Sequence, residues 1–187
     1  MLLLENLQNN IELSKFFTKT LLENDVGVII DSKMPESSYI TIDVDKYYHF
    51  ILPNPNTPAI VDLILVAQKL SDKTIHNIYI IEMKNISSPR GFSVKNIYEK
   101  FSTAIEDFLK KRFNNIFLDE KNKINVFKLY FISDAYGLKK KGFSEEQIRS
   151  FLLDTKIMRF QALPVFQFRE HKAVIEYELP NPLLEWN

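Results

Sequence analysis

Three observations predict a mixed α/β (α+β) fold in which a central mixed β-sheet is flanked by helices. Apolar residues recur at helical spacings near the N-terminus and again from Val94 to Leu109; two β-branched apolar runs of strand length, Ala59 to Val66 and Ile78 to Ile86, lie between those helices; and a third such run spans Asn125 to Ser133. The order is therefore helix, strands, helix, strand, helix. The chain of 187 residues, 45% of them hydrophobic, suits one domain with a sizeable core and is short for two. With 15 Phe and 8 Tyr against 4 Gly and 8 Pro, it has aromatic mass that must be buried, which excludes a disordered or collagenous chain.

Each element has its own signal. From Leu3 to Leu22, the positions Leu3, Leu7, Ile11, Leu13, Phe16, Phe17 and Leu21 predict one or two helices. Val26 to Ile30 is β-rich, and from Tyr39 to Leu52 the residues Ile40, Ile42 and Val44 alternate with Thr41, Asp43 and Asp45, which predicts a half-exposed strand. The segment Pro53-Asn54-Pro55-Asn56-Thr57-Pro58 ends any ladder. The runs from Ala59 and Ile78 are read as paired, buried strands, with Ser71-Asp72-Lys73 as the turn. After a loop at Ser87-Ser88-Pro89-Arg90-Gly91, the stripe Val94, Ile97, Tyr98, Phe101, Ile105, Phe108, Leu109 predicts the best-defined helix. Ser144-Glu145-Glu146-Gln147 forms a capping box ahead of Ile148, Phe151 and Leu152, and two strand-like segments follow, Leu163 to Phe168 and Ala173 to Leu179.

The absence of cysteine excludes disulfides, thiolate metal sites and cysteine nucleophiles, and agrees with a cytoplasmic location. Met1-Leu2-Leu3-Leu4 is interrupted by Glu5, and no run of about 18 apolar residues exists, so no membrane association is expected.

Asp62, Glu82 and Lys84 stand inside runs that otherwise read as core. A buried carboxylate is costly unless paired or metal-bound, so these charges are expected at an open edge with a partner. Two positions apart in a strand, Glu82 and Lys84 share a face, roughly 6.5–7 Å apart, and Asp62 on the neighbouring strand can join them. Two converging carboxylates, with the Met83 carbonyl as a further ligand, make a hard oxygen site suited to Mg²⁺, for which Mn²⁺ can substitute. Over such a site a phosphodiester finds a Lewis acid, while the Lys84 ammonium holds the attacking water or stabilises charge on phosphorus. The other readings are an ion pair on an exposed strand with Asp62 at a bulge, or a nuclease fold without activity.

The sequence Pro58-Ala59-Ile60-Val61-Asp62, followed after nineteen residues by Glu82-Met83-Lys84, resembles the signature of the PD-(D/E)XK phosphodiesterases, the fold of type II restriction endonucleases. The flanking order of helix, three strands, helix and strand resembles that family over residues 1–134, with 135–187 elaborating a single nuclease domain. One departure is that Val61, not a proline, precedes Asp62. The resemblance implies a restriction-endonuclease-like core, with Asp62 and Glu82 as metal ligands and Lys84 as the catalytic lysine. In some relatives an acidic residue of the first helix joins the metal, for which Glu5, Glu12 and Glu23 are candidates and Glu12 the best placed; an ordinary solvated helix charge is the alternative for each. In some relatives a histidine upstream of the aspartate joins the metal, which would point to His49; an ordinary strand histidine is the alternative.

Lys+Arg and Asp+Glu are equal at 24 each, yet residues 94–187 carry 16 basic against 13 acidic side chains. Lys110-Lys111-Arg112, Lys121 with Lys123, and Lys139-Lys140-Lys141 are clusters that can neutralise phosphates. Arg90, Lys95, Lys139, Lys140 and Lys141 are the expected DNA contacts, the last three in a turn flanked by Gly137 and Gly142. Together these features imply a Mg²⁺-dependent endonuclease of double-stranded DNA, of type II restriction type, working as a homodimer. The alternatives are a repair or recombination nuclease, an RNA endonuclease, and a non-catalytic nucleic-acid-binding module.

Overall fold

The β-branched runs form the sheet and the 3.6-residue stripes cover it. The computed structural model describes residues 2–23, 25–53, 55, 57–88, 92–153 and 155–184. Helix α1 (Leu3–Gln8) and a 3-10 turn at Leu13–Phe16 precede three two-residue strands, β1 (Leu22–Glu23), β2 (Val26–Gly27) and β3 (Ile29–Ile30). Next come β4 (Tyr39–Asp43), α2 (Val44–Ile51), β5 (Leu63–Lys69) and β6 (Asp72–Met83). Helix α3 (Val94–Ser102) runs directly into a π-helical stretch at Thr103–Arg112 and is followed by α4 (Asn114–Phe117) and β7 (Lys123–Ile132). Last are α5 (Glu145–Leu152), β8 (Phe166–Phe168), β9 (His171–Ala173), β10 (Ile175–Glu178) and β11 (Leu183–Leu184).

The central sheet has the order β10-β7-β6-β5-β4. The tight reversal at Leu70 and Ser71 makes β5 and β6 antiparallel, and β4 is antiparallel to β5. The crossover through α3 returns β7 parallel to β6, and β10 is parallel to β7. The domain is thus mixed α/β around a five-stranded mixed sheet, and among the described residues no helix is long and apolar enough to cross a membrane.

Strand alternation divides the core. Ile64, Val66, Ile78 and Ile80 face one side, against the buried residues of all five helices, among them Leu7, Tyr48, Phe101, Phe117 and Leu152. Leu63, Leu65, Tyr79, Ile81 and Met83 face the other, where Val26, Val28, Met34 and Leu184 from the short strands and their loops cover them. Helices therefore flank one face only.

The structure corrects three readings. The expected strand Tyr39 to Leu52 is a strand only to Asp43, whose side chain accepts the Lys46 N–H at 2.8 Å and caps α2. Val44, Tyr47, Tyr48 and Ile51 carry a helical spacing that the short alternation upstream masked, and His49 is therefore an exposed helical residue rather than a strand one. Asp62 is not within β5 but immediately before it. Beyond residue 134, β10 adds a fifth strand to the sheet. The capping box of α5 is present, with Gln147 N–H donating to Ser144 Oγ and Ser144 N–H to Gln147 Oε1.

Candidate active site

Antiparallel pairing decides where the two carboxylates meet. Leu63 lies opposite Ile81, so Asp62, at the start of β5, arrives beside the last residues of β6. One Asp62 oxygen accepts the Met83 N–H at 2.5 Å, and its own carbonyl accepts the Val44 N–H at 2.9 Å, fixing it between β6 and the first turn of α2. Peptide groups of a strand alternate sides, so the Met83 carbonyl emerges on the Asp62 side, whereas the Lys84 N–H turns to β7 and donates to Ile132 O at 3.0 Å.

Glu82 shares the side of Ile78 and Ile80 and so lies under the helices, only 1% exposed. Its Oε1 accepts a hydrogen bond from Lys100 Nζ of α3 at 2.7 Å. Its Oε2 is buried and, among the described residues, has no hydrogen-bond partner. Burial, then the negative charge of Asp62, push its pKa up to about 8 against the opposing charges of Lys100 and Lys84. A buried carboxylate with an open oxygen beside a second carboxylate could accept a hard divalent ion, whose charge would favour the ionised form.

The structure thus brings Asp62, Glu82 and Lys84 to one end of the sheet, and adds Lys100, which the sequence reading missed. Lys100 lies at the flank of the apolar stripe of α3, one position before Phe101, and only the docking of that helix over β6 places it at Glu82. Other candidates are placed elsewhere. Glu12 accepts the Tyr47 hydroxyl at 2.9 Å, and His49 Nδ1 bonds the Asp45 carbonyl at 2.9 Å. Among the described residues no group of three or more His, Asp or Glu is gathered for a metal, so neither joins the pair, nor does Glu5, which caps the Leu2 N–H. The side chain of Glu23, together with Arg90, lies outside the described residues.

The lysine turn reaches the same end of the sheet. Tyr136 N–H donates to Ile86 O at 2.6 Å, joining the segment after Lys84 to the segment after β7, and Asp134 anchors the turn by accepting the N–H groups of Lys139 and Lys140 at 2.8 and 3.2 Å. Gly137 and Gly142, at φ 64 and 83, occupy the left-handed region the turn demands. The three ammonium groups have internal partners: Lys139 the Pro180 carbonyl, Lys140 the Asp25 carboxylate and Lys141 the Tyr136 carbonyl, at 2.8, 2.8 and 3.0 Å. Surface contacts of this kind exchange readily for phosphate. Lys95 is exposed and 3.6 Å from Glu99.

Comparison with protein-family models, curated proteins and solved structures finds no match for this chain.

Proposed function

We propose that the protein is a Mg²⁺-dependent endonuclease that hydrolyses phosphodiester bonds of double-stranded DNA, with a restriction-endonuclease-like core and a type II restriction role. The observation that carries this reading is Glu82: buried at the end of a core strand, next to Asp62, with one oxygen unpartnered among the described residues. Further support comes from the element order: α1, the antiparallel strands β4, β5 and β6, α3 and the parallel strand β7 resemble the order of the PD-(D/E)XK core, with the short strands β1 to β3 ahead of β4 and α2 inserted between β4 and β5.

The donor set fits a hard divalent cation, which Asp62, Glu82 and the Met83 carbonyl would hold. When bound, Mg²⁺ supplies Lewis acidity toward a phosphoryl oxygen and a bound water of lowered pKa. The rest falls to the chain. Lys84, half-buried beside the carboxylates, presents an ammonium that orients the attacking water or neutralises charge growing on the phosphoryl oxygens. In this reading water, not a side-chain nucleophile, attacks phosphorus. The lysine turn, tied to the segment after Lys84, supplies the positive rim for the backbone. A double-strand cut then asks for two such sites, which a homodimer provides.

Matched double-stranded DNA and RNA substrates, each incubated with Mg²⁺, Mn²⁺ or EDTA, test the reading. Metal-dependent cutting of DNA supports it, cutting of RNA alone reassigns the substrate, and binding of either without cutting by any metal favours a non-catalytic module.

A further inference from the structure

The proposed cation site is already held by a cation of the protein's own. Lys100 Nζ lies 2.7 Å from Glu82 Oε1, and its side chain is 20% exposed against 2% for that of Glu82, so the lysine reaches in from solvent to a buried acid. The remaining Glu82 oxygen is buried and unpartnered among the described residues, which means Lys100 satisfies half of the carboxylate and leaves the other half open. Charge balance sharpens this. In the free protein with Glu82 ionised, Asp62, Glu82, Lys84 and Lys100 cancel. With a divalent ion and one phosphodiester present, the two carboxylates, Lys84, the ion and the phosphodiester cancel by themselves, and Lys100 becomes a surplus charge in a desolvated site.

We propose that Lys100 is a tethered cation that occupies the divalent-metal position at Glu82 in the free protein and is expelled toward solvent when metal binds. The proposal rests on the metal reading of Asp62 and Glu82. Its physical basis is the mixed character of the lysine side chain: a four-carbon stem that packs along α3 and a strongly hydrated ammonium that loses little on returning to water. The device gives the Glu82 carboxylate a partner whenever it ionises without metal, and it sets the metal affinity below what the two carboxylates alone would give.

Limited acetylation of the full chain with acetic anhydride, read by mass spectrometry of the peptide carrying Lys100, tests this. Labelling is compared in EDTA and in saturating Mn²⁺, with Mn²⁺ binding followed in parallel by calorimetry and the exposed Lys95 as internal reference. Expulsion predicts a severalfold rise of Lys100 labelling with Mn²⁺ and no change at Lys95. Binding heat with unchanged or reduced Lys100 labelling would overturn the tethered-cation role and leave the metal site standing. Absence of binding heat would overturn the metal reading of Asp62 and Glu82, and this proposal with it.

Discussion

Replacing Glu82 by glutamine in metal-free protein should make the fold more stable, and only at high pH. Folding raises the carboxyl from its ordinary 4.5 to about 8, chiefly by burial. Between those values the unfolded chain has released its proton while the folded chain retains it, so stability falls as pH rises through that interval and the loss is complete above about pH 8. At about 1.4 kcal/mol per unit, the rise of some 3.5 units corresponds to roughly 5 kcal/mol at most. Glutamine is isosteric and does not titrate, but it leaves a buried amide without an acceptor, at a cost of about 1–3 kcal/mol. The net gain at about pH 9 is therefore on the order of 2–4 kcal/mol, or roughly 5–10 °C in Tm for a domain of this size. Near pH 4, where the wild-type carboxyl is protonated in both states, the gain is gone and the amide cost of about 1–3 kcal/mol remains, so the variant should be the less stable there. Thermal melts followed by circular dichroism in EDTA at the two pH values decide it. A variant that is less stable at both, or shifted equally at both, refutes the idea that Glu82 is held against its own ionisation.

His76 is fully buried in β6 and its pKa is pushed down to about 4 by that burial, so the fold should lose up to roughly 3 kcal/mol as pH falls from about 6.5 to 4, and urea titrations of His76→Leu should show a flatter dependence over that range. Phe108→Ala removes the ring that contacts Tyr47, Tyr48, Phe113 and Phe117, with a cost of about 3–5 kcal/mol by chemical denaturation. Ser144→Ala deletes the α5 capping box and should cost about 1 kcal/mol in the same assay.

Much of the architecture is legible in the sequence because its signals are local. The hairpin β5–β6 follows from two apolar runs and a polar reversal, α3 from a stripe, and α5 from its capping box, while period-two alternation places Glu82 on the Ile78 and Ile80 face. Convergence of Asp62 with Glu82 also follows once the runs pair, although β5 begins one residue after Asp62. What the sequence hides depends on distant partners. Lys100 is one more exposed-looking helical lysine until α3 settles across β6, and the parallel pairing of β10 with β7 has no turn between them to announce it. The π-helical stretch belongs here too: its i,i+5 spacing lets Arg112 Nε reach Asp107 at 2.6 Å, and Asp107 also accepts the Tyr48 hydroxyl at 2.6 Å, locking α2 to that helix. In the Tyr39–Leu52 segment two valid periodicities adjoin, and the cap at Asp43 marks the change.

The most direct test of the account is plasmid cleavage by wild-type protein and Lys84→Ala side by side in Mg²⁺, with folding and DNA binding measured on both. Lys84 is half-buried and, among the described residues, donates only its backbone N–H to the sheet, so alanine should leave fold and DNA binding intact while cleavage drops by about 10²-fold or more. Undiminished cleavage by Lys84→Ala would contradict the assignment of this end of the sheet as the active site.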